Sequence, residues 1–347
     1  MIFTLRRLIS KTLFALYSQA WAVVITMMLV LYFAGYGLMV MAGEAQIVEN
    51  YAWWFVVTGT TVGYGDYSPV THLGRVVAVF IMLLSIGALA LVIAKISEII
   101  LNIISKRSKG LSSMSYSDHT IIMGYRKGNT EKIIQEIRSN DKDEKIVLCS
   151  SEQETNPVST AKVGFIRGEL ASIDVMERSA AAKAAKIIIY GSDDNQTFFT
   201  AYAFREINRA AHMVCYLQNE DHVEKIQNLP AFSKSLNQVI LPVFVYLMAQ
   251  ELQDPESSGV FQHLISNLNG ATLFRIDVPS DVDKTWSFGD VFMAIKKEYE
   301  ATVLAIKNDS IISNPSMNET VGAGTALFYV SKNRIKTIDW ALVEEKD

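Results

Sequence analysis

Cysteine is scarce: the 347 residues hold two, Cys149 and Cys215, each inside an apolar run where a buried thiol in a reducing compartment would sit. A disulfide scaffold is thereby excluded. The five histidines (His72, His119, His212, His222, His263) are scattered, and no Cys/His pair has zinc-ligand spacing. Lys and Arg are missing altogether from Thr12 to Gly74. No arginine recurs every third residue in the long apolar runs, which excludes a voltage sensor. No small-residue cleavage site follows the first apolar run, so a removable signal peptide is a poor reading. The bulk charge leaves no nucleic-acid footprint.

What is present falls into two unlike halves. Half of all residues are hydrophobic and 20 % are charged, too apolar an average for an ordinary soluble enzyme. Residues 1–113 carry eight Lys+Arg against four Asp+Glu, and the rest carries 24 against 32. A basic, apolar front half is joined to an acidic, water-soluble back half. Trp21 to Met41 and Val76 to Ala94 are uncharged and long enough to cross a hydrocarbon core of about 30 Å at about 1.5 Å per residue. Arg6, Arg7 and Lys11 precede the first run; Lys106, Arg107 and Lys109 follow the second. The positive-inside rule places both flanks, and so both termini, in the cytoplasm of a plasma-membrane protein.

Between these runs, Val48 to Thr60 is too short to span and ends in residues that cannot continue a helix, so it reads as a re-entrant segment. Irregular backbone at membrane depth must be buried in protein or line a wet cavity. The glycines of Thr61-Val62-Gly63-Tyr64-Gly65-Asp66 permit backbone angles that turn successive carbonyl oxygens to one side. Four copies around an axis would stack oxygen rings able to replace a cation's hydration shell.

This hexapeptide resembles the selectivity filter of potassium channels, with Thr61, Val62, Gly63, Tyr64 and Gly65 as the potassium-coordinating segment. Trp53 and Trp54 match the family's paired pore-helix tryptophans. The resemblance implies that Trp54 hydrogen-bonds Asp66 behind the filter. Val57 departs from relatives that carry a glutamate there, which removes a second carboxyl. The family's hinge glycine falls at Ser85, two residues before Gly87, so both are candidates for a bend in the inner helix. Lys95 and Glu98 read as an ordinary helix-face pair.

A short basic connector, residues 106–117, leads to strands alternating with helices. Strands are expected at 120–123, 145–149, 163–166, 186–190 and 212–217, with helices at 130–139, 172–182, 195–208 and 221–227, the pattern of a parallel doubly wound sheet. The turn after the first strand keeps Gly124 of the dinucleotide fingerprint but has Arg126 and Asn129 at the other glycine positions. Ser150, Ser151 and Glu152 end the second strand, about where a ribose would be held. Gly128 opens the helix, and Arg126 and Arg167 could add charge for a phosphate. Asp193, Asp194 and Glu220 form an alternative divalent-cation set, with calcium the second choice of ligand after NAD(H) or an adenine nucleotide.

Set after a two-span pore, this half resembles the RCK domain, the regulator of potassium conductance, on Gly164–Glu169, Ala184–Tyr190 and Ser192–Asn195. The resemblance implies a membrane α-helical pore (1–105), a linker (106–117), a Rossmann-like α/β subdomain (118–237), a helical crossover for RCK pairing (238–270) and a smaller α+β C-terminal subdomain (271–347). Val239 to Leu252 and Val260 to Leu268 are expected to be the crossover helices, over-apolar for a monomer surface. Strands are expected near 272–278 and 302–306, with a helix at 288–300. The expected function is a ligand-gated, potassium-selective homotetramer in a lipid bilayer, not an enzyme. In the family a complete ring holds twice as many RCK domains as pore subunits, and each chain here supplies one. A soluble product started at Met114 could supply the remainder. The alternatives are a non-conducting, membrane-anchored nucleotide sensor and an NAD-dependent oxidoreductase. The latter lacks a convincing acid/base or nucleophile set and leaves the filter motif unexplained.

Overall fold

A computed structural model of the chain describes residue 22 and residues 24–158, 162–268 and 270–343. Arg6, Arg7, Lys11 and the start of the first span lie outside the described residues. The chain divides into two compact units, Met1–Lys106 and Arg107–Asp347.

In the first unit, α1 (Val24–Met41) and α4 (His72–Ser108) are long and apolar enough to cross a membrane. At about 1.5 Å per residue α4 is about 55 Å long, well beyond a 30 Å core. It begins four residues before the expected span and runs on into the expected linker. Two short helices, α2 (Ala45–Glu49) and α3 (Tyr51–Gly59), lie between them. The core joins Met39 of α1, Ile47 of α2, Tyr51, Trp54 and Phe55 of α3 and Val77, Ala78 and Ile81 of α4. Tyr32, Tyr51 and Phe55 meet edge-on or tilted at 5.2 to 5.8 Å, which fixes the short helix against the spans. Most other apolar side chains of α4 face outward, as lipid or neighbouring chains would require.

The second unit opens with β1 (His119–Met123), α5 (Asn129–Asn140), β2 (Ile146–Ser150), β3 (Gly164–Arg167), α6 (Ile173–Arg178), β4 (Ala184–Ile189), α7 (Asp194–Ile207), β5 (His212–Tyr216), α8 (Val223–Gln227) and β6 (Asn237–Ile240). The strands form one parallel sheet in the order β3-β2-β1-β4-β5-β6. That is the doubly wound order, with its switch point between β1 and β4. β1 and β2 are buried along their whole length, as strands covered on both faces must be. Cys149 and Cys215 are free and buried in this core, and burial pushes both thiols up to about 12.

β6 corrects the expectation of a helix from Val239. Residues 237–240 pair with β5, and α9 (Phe244–Gln253) starts only after Pro242. α10 (Ser257–Ile265) follows. The tail contains β7 (Thr272–Asp277), β8 (Trp286–Ser287), α11 (Phe288–Tyr299), β9 (Thr302–Lys307), β10 (Ile311–Ser313), β11 (Thr320–Val321) and β12 (Ala326–Ser331). Its antiparallel sheet, β10-β9-β12-β7, shares a core with α11 through Phe274, Val291, Ile295, Ile306 and Tyr329.

Candidate functional site

In the first unit, α3 delivers the chain into residues 60–66. Positive φ recurs at every second residue: Thr61 (66°), Gly63 (57°) and Gly65 (75°). Glycine adopts this region freely, but a β-branched threonine does not, so Thr61 marks strain of the kind held at functional sites. The Gly63 amide donates to the Val57 carbonyl at 3.1 Å, tying the segment to the helix before it.

The side-chain brace comes from Trp53. Its Nε1 donates to Oδ2 of Asp66 at 2.7 Å, and its ring stacks on Tyr64 at 5.8 Å with planes 6° apart. This corrects the assignment of that bond to Trp54. Neighbours on a helix point about 100° apart, and Trp54 is turned into the core, 3 % exposed, tilted against Tyr51. Ser85 and Gly87 both sit within unbroken α4. Ser85 is buried beside Gly59, where an added Cβ would lie 3.4 Å away, whereas Gly87 faces open space.

In the second unit a cleft of about 150 Å³ opens at the switch point, lined by Gly124, Tyr125, Arg126, Ser150, Ser151, Glu152, Leu170, Tyr190, Ser192 and Gln196. A Cβ on Gly124 would fall 2.0 Å from the Tyr190 carbonyl oxygen, so only glycine lets β1 and β4 end this close together. Five of the expected residues, Gly124, Arg126, Ser150, Ser151 and Glu152, therefore meet here. Gly128, Asn129 and Arg167 do not line the cleft. Asn129 Nδ2 donates to the Tyr190 hydroxyl at 3.2 Å, and the Arg167 amide donates to Gly110 O at 2.9 Å. Tyr190, Ser192 and Gln196 join the lining beyond the residues expected from the sequence. Their signal was their place just after β4, across the switch point from Gly124.

The turn is already well bonded. Arg126 N donates to the Thr130 hydroxyl (2.9 Å), and the amides of Asn129 and Thr130 donate to Arg126 O at 3.1 and 2.9 Å. Gly128 N donates to Glu131 Oε2 at 2.7 Å. The Tyr125 hydroxyl also donates to Glu131, which holds that carboxyl below its usual range and pushes the phenol up to about 12. Arg126 lies over the Tyr190 ring at 4.6 Å and donates through Nη2 to Gly191 O at 2.6 Å. It is the cation lining the cleft.

The proposed divalent set is not assembled. Among the described residues no three or more His, Cys, Asp or Glu side chains gather as metal ligands. Asp193 caps α7 by accepting from Gln196 N at 2.9 Å. Asp194 accepts from Gln218 N and Asn219 N at 2.8 and 3.0 Å and faces His222 Nδ1 at 3.4 Å. Both carboxylates are committed to the backbone, away from any shared centre with Glu220.

Residues 22–102 match the family model described as "Ion channel", and residues 120–242 match the "TrkA-N domain" model. The calcium-gated potassium channel TvoK of Thermoplasma volcanium is 25 % identical over 308 residues, covering 83 % of this chain and 84 % of that protein. Potassium channel protein 1 of Methanocaldococcus jannaschii is 24 % identical over 289 residues, covering 79 % and 82 %. Among solved structures, the GsuK channel bound to NAD aligns with a TM-score of 0.41 at 15 % identity, over 90 % of this chain and 57 % of that one.

Proposed function

We propose that this chain, which belongs over residues 22–102 to the ion-channel family and carries a TrkA-N domain over residues 120–242, is one subunit of a ligand-gated potassium channel. The observation that carries this reading is the alternation of positive φ at Thr61, Gly63 and Gly65, braced by Trp53 on Asp66. Four such segments around an axis would present carbonyl oxygens in place of a potassium ion's water. Four copies of α4 would line the inner pore, with Ser85 or Gly87 as the flexing point. Both termini are cytoplasmic and the membrane is the plasma membrane. The role is transport, with no reaction catalysed.

The second unit is the ligand-responsive part. Its cleft takes the nucleoside portion of an adenine nucleotide or of NAD(H), with Ser150, Ser151 and Glu152 at the ribose and Arg126 toward the phosphate. The exposed apolar side chains of α9 and α10, among them Phe244, Met248, Leu252, Val260 and Ile265, support pairing of two such domains. Ring closure would use further copies started at Met114. The ligand gates by binding one ring shape more tightly than the other. The name of the Thermoplasma relative favours calcium as a second reading. Among the described residues no set of three or more ligating side chains gathers for such an ion.

Potassium flux from liposomes holding the purified full chain tests this, with NAD⁺, NADH, ATP, ADP or Ca²⁺ on the cytoplasmic face. Flux selective for potassium over sodium, altered by one ligand and abolished by Gly65→Ala, is expected. Absence of selective flux under every condition would leave the membrane-anchored sensor as the better reading.

A further inference from the structure

One side chain joins the two halves of the switch-point cleft. Arg126 stands at the second glycine of the dinucleotide fingerprint, where a bare backbone lets a bridging pyrophosphate come close. Its guanidinium reaches from the β1–α5 turn to the β4–α7 turn. There Nη2 donates to the carbonyls of Gly191 at 2.6 Å and Ser192 at 3.1 Å, with the Tyr190 ring beneath. A Cβ on Gly191 would fall 2.7 Å from the Thr197 hydroxyl, so the turn that holds Arg126 is itself tightly packed. Arg126 Nε is buried and meets no acceptor.

The amides that a bridging pyrophosphate would use are taken as well. At the start of α5, Gly128 N donates to the Glu131 carboxylate at 2.7 Å and Arg126 N to the Thr130 hydroxyl at 2.9 Å. At the start of α7, Ser192 N donates to Gln196 Oε1 at 2.8 Å and Gln196 N to Asp193 Oδ1 at 2.9 Å. A helix N-terminus draws an anion to its free amides, and on α5 Glu131 already fills that place. The cleft's 150 Å³ also falls below the roughly 300–1,000 Å³ of typical ligand sites.

Resting on the reading of this cleft as a nucleotide site, we propose that Arg126 and Glu131 set its specificity: they bar a dinucleotide and admit a mononucleotide whose phosphate chain ends at Arg126. A terminal phosphate can accept from the unpartnered Nε while the bonds to Gly191 and Ser192 stay in place. A dinucleotide has to run on toward β4 through the space that the Arg126 side chain fills. Its bridge must also displace Glu131 from the Gly128 amide.

Isothermal titration of ADP and of NAD⁺ into the full-length protein, in phosphatidylcholine nanodiscs, tests this. ADP is expected to bind at least about tenfold more tightly than NAD⁺. Arg126→Gly, which restores the missing glycine, should tighten NAD⁺ about tenfold while weakening ADP. Opposite shifts in one variant cannot come from misfolding. Adding Glu131→Gln to that variant should tighten NAD⁺ further. NAD⁺ bound by the unsubstituted chain as tightly as ADP, or lost together with ADP in Arg126→Gly, would overturn the specificity and leave the nucleotide reading standing. Binding of neither ligand to either form would overturn both.

Discussion

The carbonyl oxygen of Gly110 receives Nη1 of Arg178 at 2.6 Å. The same oxygen accepts the Arg167 amide at 2.9 Å, while Arg178 Nη2 reaches the Arg167 carbonyl at 2.7 Å. Asp174 holds the guanidinium from the other side at 2.7 Å. The helix α4 ends at Ser108, two residues before Gly110, so this clasp fixes the chain leaving that helix onto β3 and α6. Gly110 has φ +65°, and a Cβ there would fall 2.4 Å from the Arg167 nitrogen. Gly110→Ala must therefore pry the segment off the domain. Under the channel reading, its ligand dependence of flux drops several-fold while selectivity for potassium over sodium is kept. Liposome flux with and without ligand, at matched potassium and sodium gradients, separates the two effects. Arg178→Ala also removes the charge-assisted bonds to the Gly110 and Arg167 carbonyls, worth roughly 1.5–3 kcal/mol each, so a lowered melting temperature is expected as well.

Trp53→Phe keeps an aromatic ring against Tyr64 but removes the donor to Asp66. The filter segment then loses its side-chain tie to α3. The time over which potassium flux persists at constant ligand should change several-fold. Trp54→Phe, in the buried aromatic cluster, should leave that time course alone and lower thermal stability instead. Equal effects of both substitutions on flux persistence would contradict the division of roles.

Arg126 is the cation on the cleft lining, and beside the cleft Glu131 already occupies the amide of Gly128 at the start of α5. Arg126→Gln should weaken ADP binding more than adenosine binding, because the phosphate loses its charge partner. Glu131→Gln should act in the reverse sense, since a neutral amide replaces an anion at the helix N-terminus. Equilibrium dialysis of both ligands against the full chain reads both differences.

The sequence made the pore and the parallel sheet legible for a common reason: each is written in contiguous residues. Thr61 to Asp66 is one uninterrupted motif, and β1, β2 and β4 are apolar runs bounded by turns. β6 is hidden in the sequence because Val239 to Leu252 is apolar almost throughout, and periodicity cannot separate a short buried strand from a helix start. Pro242 was the signal that could have divided them. The exchange of Trp53 for Trp54 has another origin: adjacent helical residues face different ways, and which one meets Asp66 depends on how α3 packs against α1 and α4. Asp193 and Asp194 resembled metal ligands because a capping aspartate and a ligand aspartate have the same local sequence.

Glu44 is 3 % exposed and accepts the backbone amides of Val70 and Thr71 at 3.1 and 2.8 Å and the Thr71 hydroxyl at 2.8 Å. It thus ties the end of α1 to the segment that follows the filter. An added Cβ on Gly74 would strike its Oε1 at 2.1 Å, so α4 starts tight against it. Burial alone would raise this carboxyl's pKa. The amides of Thr71 and Val70 and the Thr71 hydroxyl outweigh burial and leave it below its usual 4.5. A carboxyl with a depressed folded-state pKa contributes stability above its unfolded value and loses it as pH falls through the folded one. The assembled protein should therefore hold its melting temperature down to about pH 4.5 and lose it in more acid solution. Glu44→Gln removes the charge at every pH, so it should cost roughly 1–3 kcal/mol at pH 7 and flatten the acid dependence. Melting curves of both forms between neutral pH and strong acid decide this: parallel acid losses in the two would place the titrating group elsewhere.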